Sequence, residues 1–288
     1  MKVYTVNSFI KNQSGGNPAG VVLLDDAPIS TQMMQSIAKK VGLSETAFVF
    51  PKVENYFPIR FFTPVEEVPL CGHATLAAFY TLNKFKNLTV DTVFQKTGAG
   101  LLAIKGELTS QGLKLVMEQS TPIQRNLHTT VLDELIPIMG LKPTPELYQK
   151  LPVQIWSTGL EDILLPVKDR QTLNHMDVDF EALSSLSKSL NVVGVHAFTI
   201  EKEQVYARNF APLYGIDEES ATGTSNGALI AYLHQHVYPN INFIEKEIIQ
   251  GESMNATSAI IAQSFVDNQH QHIWVGGYCH FKSILHLS

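Results

Sequence analysis

Arg60-Phe61-Phe62-Thr63-Pro64 returns later in the chain as Arg208-Asn209-Phe210-Ala211-Pro212, the pattern R-x-F-[TA]-P at an offset of 208 − 60 = 148 residues. Two further matches keep the order. Ala47-Phe48, in Ser44-Glu45-Thr46-Ala47-Phe48-Val49-Phe50, recurs as Ala197-Phe198 at 197 − 47 = 150. Gly72 of Cys71-Gly72-His73-Ala74-Thr75 recurs as Gly223 of Thr222-Gly223-Thr224-Ser225-Asn226 at 223 − 72 = 151. The offset is about half of a 288-residue chain, which reads as one design used twice.

The elements around these landmarks correspond as well. Met33, Met34, Ile37, Ala38 and Val41 follow helical spacing, with Ser30 or Thr31 as N-cap and Gly42 as C-terminal stop. Leu183, Leu186 and Leu190 draw a similar stripe just before an apolar strand at 195–200. Each half therefore reads helix, apolar strand, R-x-F-x-P strand, Gly-turn, helix. The closing helices, near 74–83 and 225–236, carry Ala, Leu, Ile and Tyr on nearly every side, which predicts burial all round. Ser120-Thr121-Pro122 interrupts the pattern between the halves. The expected fold class is α/β (α+β). Two pseudo-symmetric halves, 1–118 and 119–288, each curl a mostly antiparallel sheet around a central helix, and the last strand is free to return to the first half. Closely packed halves of this kind tend to hold their ligand in the cleft they share.

Composition narrows the function. With 21 basic and 27 acidic side chains the net charge is −6, and no dense Lys/Arg block occurs, so neither nucleic acid nor an anionic membrane surface is an expected partner. Hydrophobic residues make up 44% and charged residues 17%, which suits a packed interior. No apolar run approaches the roughly 18 residues of a membrane span, and the N-terminus turns polar too early for a secretory signal. Cys71 and Cys279 are too few for a disulfide framework. A soluble, cytoplasmic protein is the expectation.

Gly72-His73-Ala74 and Gly223-Thr224-Ser225 each open a central helix, and the first N–H groups of a helix have no intrahelical partner. Two such termini converging on one ligand would suit a small carboxylated substrate, although either loop alone could be a plain tight turn. Glu45 is the candidate general acid/base. It stands in an apolar strand where the 150-residue offset puts Val195 in the second half, and burial would raise its pKa toward neutrality; the alternative is a strand-edge glutamate facing solvent. His73 is a candidate hydrogen-bond or proton partner for the substrate. Cys71 is either a site residue or a small packed thiol, since residues two apart at a helix start are poorly placed to face each other. His234-x-His236 and His270-x-His272 lack a third ligand, so no metal is expected. Gly98-Ala99-Gly100 leads into a strand rather than a helix and no phosphate-cradling loop occurs, which favours a mechanism without cofactors.

The same residues carry a family resemblance. Asn7-Ser8-Phe9, Gly16-Asn17-Pro18-Ala19-Gly20-Val21-Val22-Leu23, Ser44-Glu45-Thr46-Ala47-Phe48-Val49, Phe62-Thr63-Pro64 with Cys71-Gly72-His73-Ala74-Thr75, Arg208-Asn209-Phe210-Ala211-Pro212 and Ala221-Thr222-Gly223-Thr224 resemble the phenazine-biosynthesis PhzF-like family. The similarity runs on through Gln250-Gly251 to Val275-Gly276-Gly277. It implies the diaminopimelate epimerase-like fold and a cofactor-independent isomerase that moves a proton within a small carboxylated substrate, which in the phenazine pathway is trans-2,3-dihydro-3-hydroxyanthranilate. By the same resemblance the catalytic glutamate falls on Glu45 and the substrate-binding histidine on His73. Gly72, Cys71, Asn17, Glu219, Gly223 and Thr224 complete the substrate-binding set, and a homodimer is the oligomer suggested. Glu219 stands where the family has aspartate and Thr224 where it has serine; both keep the chemical type and shift substrate fit. Thr224 also stands where related epimerases carry a second cysteine, so a symmetric two-thiol racemase is not implied. A thiol-dependent enzyme using Cys71 and His73, or a small-acid-binding protein without turnover, are the alternatives.

Overall fold

The computed structural model describes residues 1–25, 28–268 and 270–287. Its contacts divide into two units, Met1–Glu118 with Gly276–Ser288, and Gln119–Val275. The first unit runs β1 (Lys2–Ser8), β2 (Asn17–Leu23), α1 (Thr31–Val41), β3 (Glu45–Val49), β4 (Tyr56–Phe62), β5 (Glu67–Val68), α2 (Gly72–Lys86), β6 (Thr92–Thr97), β7 (Gly100–Thr109) and β8 (Gly112–Glu118). The second runs β9 (Ile123–Asn126), α3 (Thr129–Ile138), α4 (Pro145–Lys150), β10 (Gln154–Ser157), β11 (Glu161–Pro166), α5 (Arg170–Asn174) and α6 (Phe180–Leu190). It continues with β12 (Gly194–Glu201), β13 (Gln204–Ala211), β14 (Ile216–Glu219), α7 (Gly223–His236), β15 (Phe243–Gln250) and β16 (Ser258–Asp267), and opens β17 (His270–His286), whose later residues belong to the first unit. No described helix is long and apolar enough to cross a membrane.

Antiparallel pairing dominates, and among the described residues each unit has two parallel joins: β2 with β3 and β4 with β6, then β11 with β12 and β13 with β15. A parallel join needs a crossover, and helices supply it. α1 and α6 are amphipathic crossovers that bury one face each, through Met34, Ile37 and Ala38 and through Leu183, Leu186 and Ser187. α2 and α7 are the crossovers of the other two joins and are buried on nearly every side, as their composition requires. In the first unit the strands follow one another from β1 through β2, β3, β4, β6 and β7 to β8, and β17 pairs with both β1 and β8, which closes the sheet into a ring. Closure demands a close approach. A Cβ on Gly276 would sit 1.8 Å from the Leu115 carbonyl oxygen, so only glycine lets β17 lie against β8. In the second unit Tyr232 of α7 packs edge-on against Trp156 and Phe198, with ring centroids 5.9 and 5.4 Å away.

Local signals are placed as their chemistry requires. The Ser30 hydroxyl accepts from the Met33 N–H, and Gly42 ends α1 at φ 67°. Gly98-Ala99-Gly100 is the turn between β6 and β7. The two R-x-F-x-P segments are β4 and β13, and each arginine grips a glutamate on the following short strand: Arg60 holds Glu67, and Arg208 holds Glu218.

Strand register corrects one equivalence. Thr46 of β3 lies opposite Phe62, while Val195 of β12 lies opposite Phe210, the same place in the second R-x-F-x-P. Glu45 therefore corresponds to Gly194 rather than Val195, because one residue fewer separates the paired positions of β12 and β13. A Cβ at Gly194 would lie 1.8 Å from the Phe210 carbonyl oxygen, so the second unit has no room for a side chain where the first carries its carboxylate.

Candidate active site

Glu45 begins β3, one residue beyond the loop that ends α1, and Cys71 is the N-cap of α2. Cys71 has extended backbone angles, φ −145° and ψ 120°, which swing its sulfur over the first turn to 3.4 Å from Nδ1 of His73. The two side chains do face each other, contrary to the expectation from spacing within a helix, because the N-cap residue is not helical. The other ring nitrogen of His73, Nε2, lies 3.1 Å from Glu45 Oε2 and 3.3 Å from the Ser44 hydroxyl. Glu45 Oε2 is buried without an aligned hydrogen bond, so its link to His73 is an ion pair by distance alone. The His73 side chain is 7% exposed and that of Glu45 20%, so Glu45 is the less buried of the two.

Electrostatics reverses the expected shift of Glu45. Burial does push its pKa up, but the contact and charge of His73, helped by Ser44 and Cys71, outweigh burial and hold it below the usual carboxylate range. Burial penalises a charged His73, yet the Cys71 sulfur and the Glu45 carboxylate on either side raise it well above the ordinary histidine range. Burial raises Cys71, which is a neutral thiol at neutral pH.

Backbone contacts fix this geometry. The Ser8 hydroxyl donates to the His73 carbonyl at 2.7 Å, and Thr75 donates to the Cys71 carbonyl at 2.8 Å. Asn17 starts β2 opposite Ser8, and Glu45 stands beside Ala19 across the β2–β3 join. Ser8 and Ser44 act on the cluster without having been singled out from the sequence. Both lie inside the quoted motif segments, and that position was the available signal.

Glu219, Gly223 and Thr224 belong to the second unit. Gly223 opens α7, whose N-cap Thr222 spends its hydroxyl on Glu219 Oε2 at 2.6 Å instead of capping the helix. Ser30 and Asp179 cap the peripheral helices α1 and α6, whereas neither Cys71 nor Thr222 caps a central one. Gln250 ties this turn together, donating to the Glu219 carbonyl at 2.7 Å and accepting from Asn226 at 2.8 Å. Beneath it lies a buried polar group that sequence reasoning missed. The Ser225 hydroxyl donates to Asp162 at 2.5 Å, Asn209 donates to Ser225 at 3.3 Å, and His196 Nε2 meets the Asn226 amide oxygen at 3.2 Å. Burial pushes Asp162 up to about 6 and His196 down to about 4.

Comparison with known proteins places the chain. The model of the phenazine biosynthesis-like protein family, PhzC-PhzF, matches residues 6–281. An uncharacterized isomerase of Clostridium acetobutylicum is 34% identical over 277 residues, 93% of this chain and 91% of that one. The crystal structure of the Bacillus anthracis phenazine biosynthesis protein of the PhzF family superposes with a TM-score of 0.89 at 27% identity, covering 99% of this chain and 98% of that one. A hydroxyproline epimerase from Agrobacterium vitis, 12% identical, shares the fold with a TM-score of 0.63 over 99% of this chain and 91% of its own. With a glutamate, a histidine and an uncapped helix start gathered in one unit and the family model spanning nearly all its residues, the chain belongs to the phenazine biosynthesis-like PhzF family of isomerase-type proteins, built on the diaminopimelate epimerase-like fold.

Proposed function

We propose that this protein is a cofactor-independent isomerase that moves a proton within a small carboxylated substrate, with Glu45 as the general acid/base. The observation that carries the reading is the Glu45–His73 pair at 3.1 Å, in which the carboxylate is the more exposed partner and is ionised at neutral pH. A carboxylate that is already charged and only partly desolvated is ready to take a proton from carbon. His73, protonated beside it, supplies a hydrogen-bond donor for the negative charge that develops on the substrate as that proton leaves. The first-turn N–H groups of α2, which receive no side-chain cap, favour an anionic group nearby. Glu45 then returns the proton at another position of the substrate.

General acid–base catalysis of this kind contributes about 10²–10⁴ in rate, and fixing the substrate supplies the rest. The test is deuterium uptake from D₂O into a panel of small unsaturated and amino carboxylic acids, with wild type and Glu45→Gln. Uptake or isomerisation by wild type that falls at least about 10²-fold in Glu45→Gln supports the reading. Equal rates in the two proteins overturn it. A Cys71 nucleophile is the second reading, favoured by the 3.4 Å contact with His73 and opposed by the raised thiol pKa. Cys71→Ala abolishes turnover on that reading and only slows it on the first.

A further inference from the structure

Among the described residues one set of histidine, cysteine and carboxylate side chains has ligand atoms close enough to share an ion, and it is Glu45, Cys71 and His73, all within 4.8 Å of one another. The separations suit a small tetrahedral cation. Zinc bonds of about 2.0–2.2 Å to nitrogen or oxygen and about 2.3 Å to sulfur put tetrahedral ligand atoms roughly 3.3 Å apart for nitrogen and oxygen, and roughly 3.5 Å for nitrogen and sulfur. Here Nε2 of His73 lies 3.1 Å from Glu45 Oε2 and 3.9 Å from Cys71 Sγ. The three ligand atoms lie within 4.8 Å of one another, so side-chain rotations that shorten the widest separation by about 1 Å bring all three onto one centre.

Burial supports the same conclusion. The Cys71 residue is 9% exposed and His73 6%, so two ligands are held against the protein, while the Glu45 side chain keeps 20% of its surface exposed. Glu45 Oε2 is buried and lacks an aligned hydrogen-bond donor, an oxygen with coordination to spare. Thiolate, imidazole and carboxylate together select zinc-like ions over calcium and magnesium, which prefer all-oxygen shells. Three protein ligands also leave a fourth position open.

We propose that Glu45, Cys71 and His73 form a binding site for a single zinc-class divalent cation. On binding, the Cys71 S–H proton and the His73 Nε2 proton pass to solvent, and sulfur, nitrogen and carboxylate oxygen each donate a lone pair to the ion. The proposal needs no assumption about catalysis. If Glu45 is the base, cation and substrate compete for it and zinc acts as an inhibitor.

Binding is read without substrate. Wild type is titrated with Zn²⁺ against a chromophoric chelator and with Co²⁺ by absorbance. The expected result is one ion per chain, a thiolate-to-cobalt charge-transfer band, and a Tm raised by Zn²⁺. Cys71→Ser abolishes the band, and Cys71→Ser, His73→Gln and Glu45→Gln each weaken Zn²⁺ by at least the roughly 10–100-fold that losing even an outer-shell partner costs. Cys279→Ala and the double variant His270→Ala/His272→Ala bind as wild type does. Unchanged affinity in Cys71→Ser, loss of binding in the His270/His272 variant, or a wild type whose Tm ignores Zn²⁺ overturns the site, and the wild-type measurements stand even where a variant fails to fold. Because D₂O exchange by Glu45→Gln tests catalysis alone, the two readings can fail independently.

Discussion

Asp162 is a carboxylic acid folded into a place that disfavours its charge, and its replacement by asparagine has a worked consequence. The residue is 1% exposed, one oxygen receives the Ser225 hydroxyl, and the other, Oδ1, makes no well-aligned hydrogen bond. Burial raises its pKa from an ordinary 3.8 to about 6, with Ser225 and the Gly194 N–H opposing the rise and the charge of Glu219 adding to it. The folded state therefore holds the proton more tightly than the unfolded chain. The contribution of Asp162 to stability is greatest where it is protonated in both states and falls as pH rises through the window from about 4 to about 6. The shift of about two pKa units corresponds to ~3 kcal/mol at about 1.36 kcal/mol per unit. Asparagine keeps the shape and an acceptor for Ser225 but cannot ionise. Urea unfolding of wild type and Asp162→Asn is followed from about pH 4 to about pH 7.5 by tryptophan fluorescence. Both tryptophans, Trp156 and Trp274, lie in the unit that contains Asp162, so the signal reports that unit. The expected outcome is that the variant gains ~3 kcal/mol relative to wild type across that window. His196, which must charge on unfolding at acid pH, is present in both proteins and drops out of the difference. A difference that stays flat within ~0.5 kcal/mol, or that favours wild type as pH rises, refutes the claim that a buried, protonation-prone aspartate sits under α7.

The two arginines of the repeated motif should respond very differently to removal. Arg208 is 7% exposed and donates to Glu218 and to the carbonyls of Leu173 and Met176, so Arg208→Met is expected to cost about 3–5 kcal/mol in urea unfolding. Arg60 makes a similar pair with Glu67 at the surface, and Arg60→Met is expected to cost under about 1 kcal/mol. Gly194→Ala meets the Phe210 carbonyl oxygen and is expected to destabilise by more than about 3 kcal/mol or to leave the protein insoluble, whereas Gly42→Ala meets nothing and bears only the strain of φ 67°, about 1 kcal/mol.

The sequence made the scaffold legible because its signals were local. Ser30, Gly42 and the leucine stripe of α6 act within one turn, and the all-round apolar composition of α2 and α7 leaves them no place except the interior. Glu45 and His73 were legible by motif and are brought together. What spacing could not deliver was anything decided across elements. A single residue fewer between β12 and β13 moves the counterpart of Glu45 from Val195 to Gly194. The direction of the Glu45 shift depended on whether desolvation or His73 prevails, a comparison that needs the 3.1 Å separation. Asp162, His196, Asn209 and Ser225 come from three strands and a helix, and none carries a sign of the others in its own neighbourhood of sequence.

The path of β17 has a consequence in time. Residues 119–275 are contiguous, so that unit is complete as soon as it emerges from a ribosome. The other unit pairs Lys2 with His286 and Val3 with Leu285, so its ring stays open between β1 and β8 until β17 has been made. Ordinary vectorial synthesis favours the N-terminal domain. Here the order inverts: the half that carries Glu45 and His73 is translated first and closes last, and its strand edges need shelter from other chains for the whole interval.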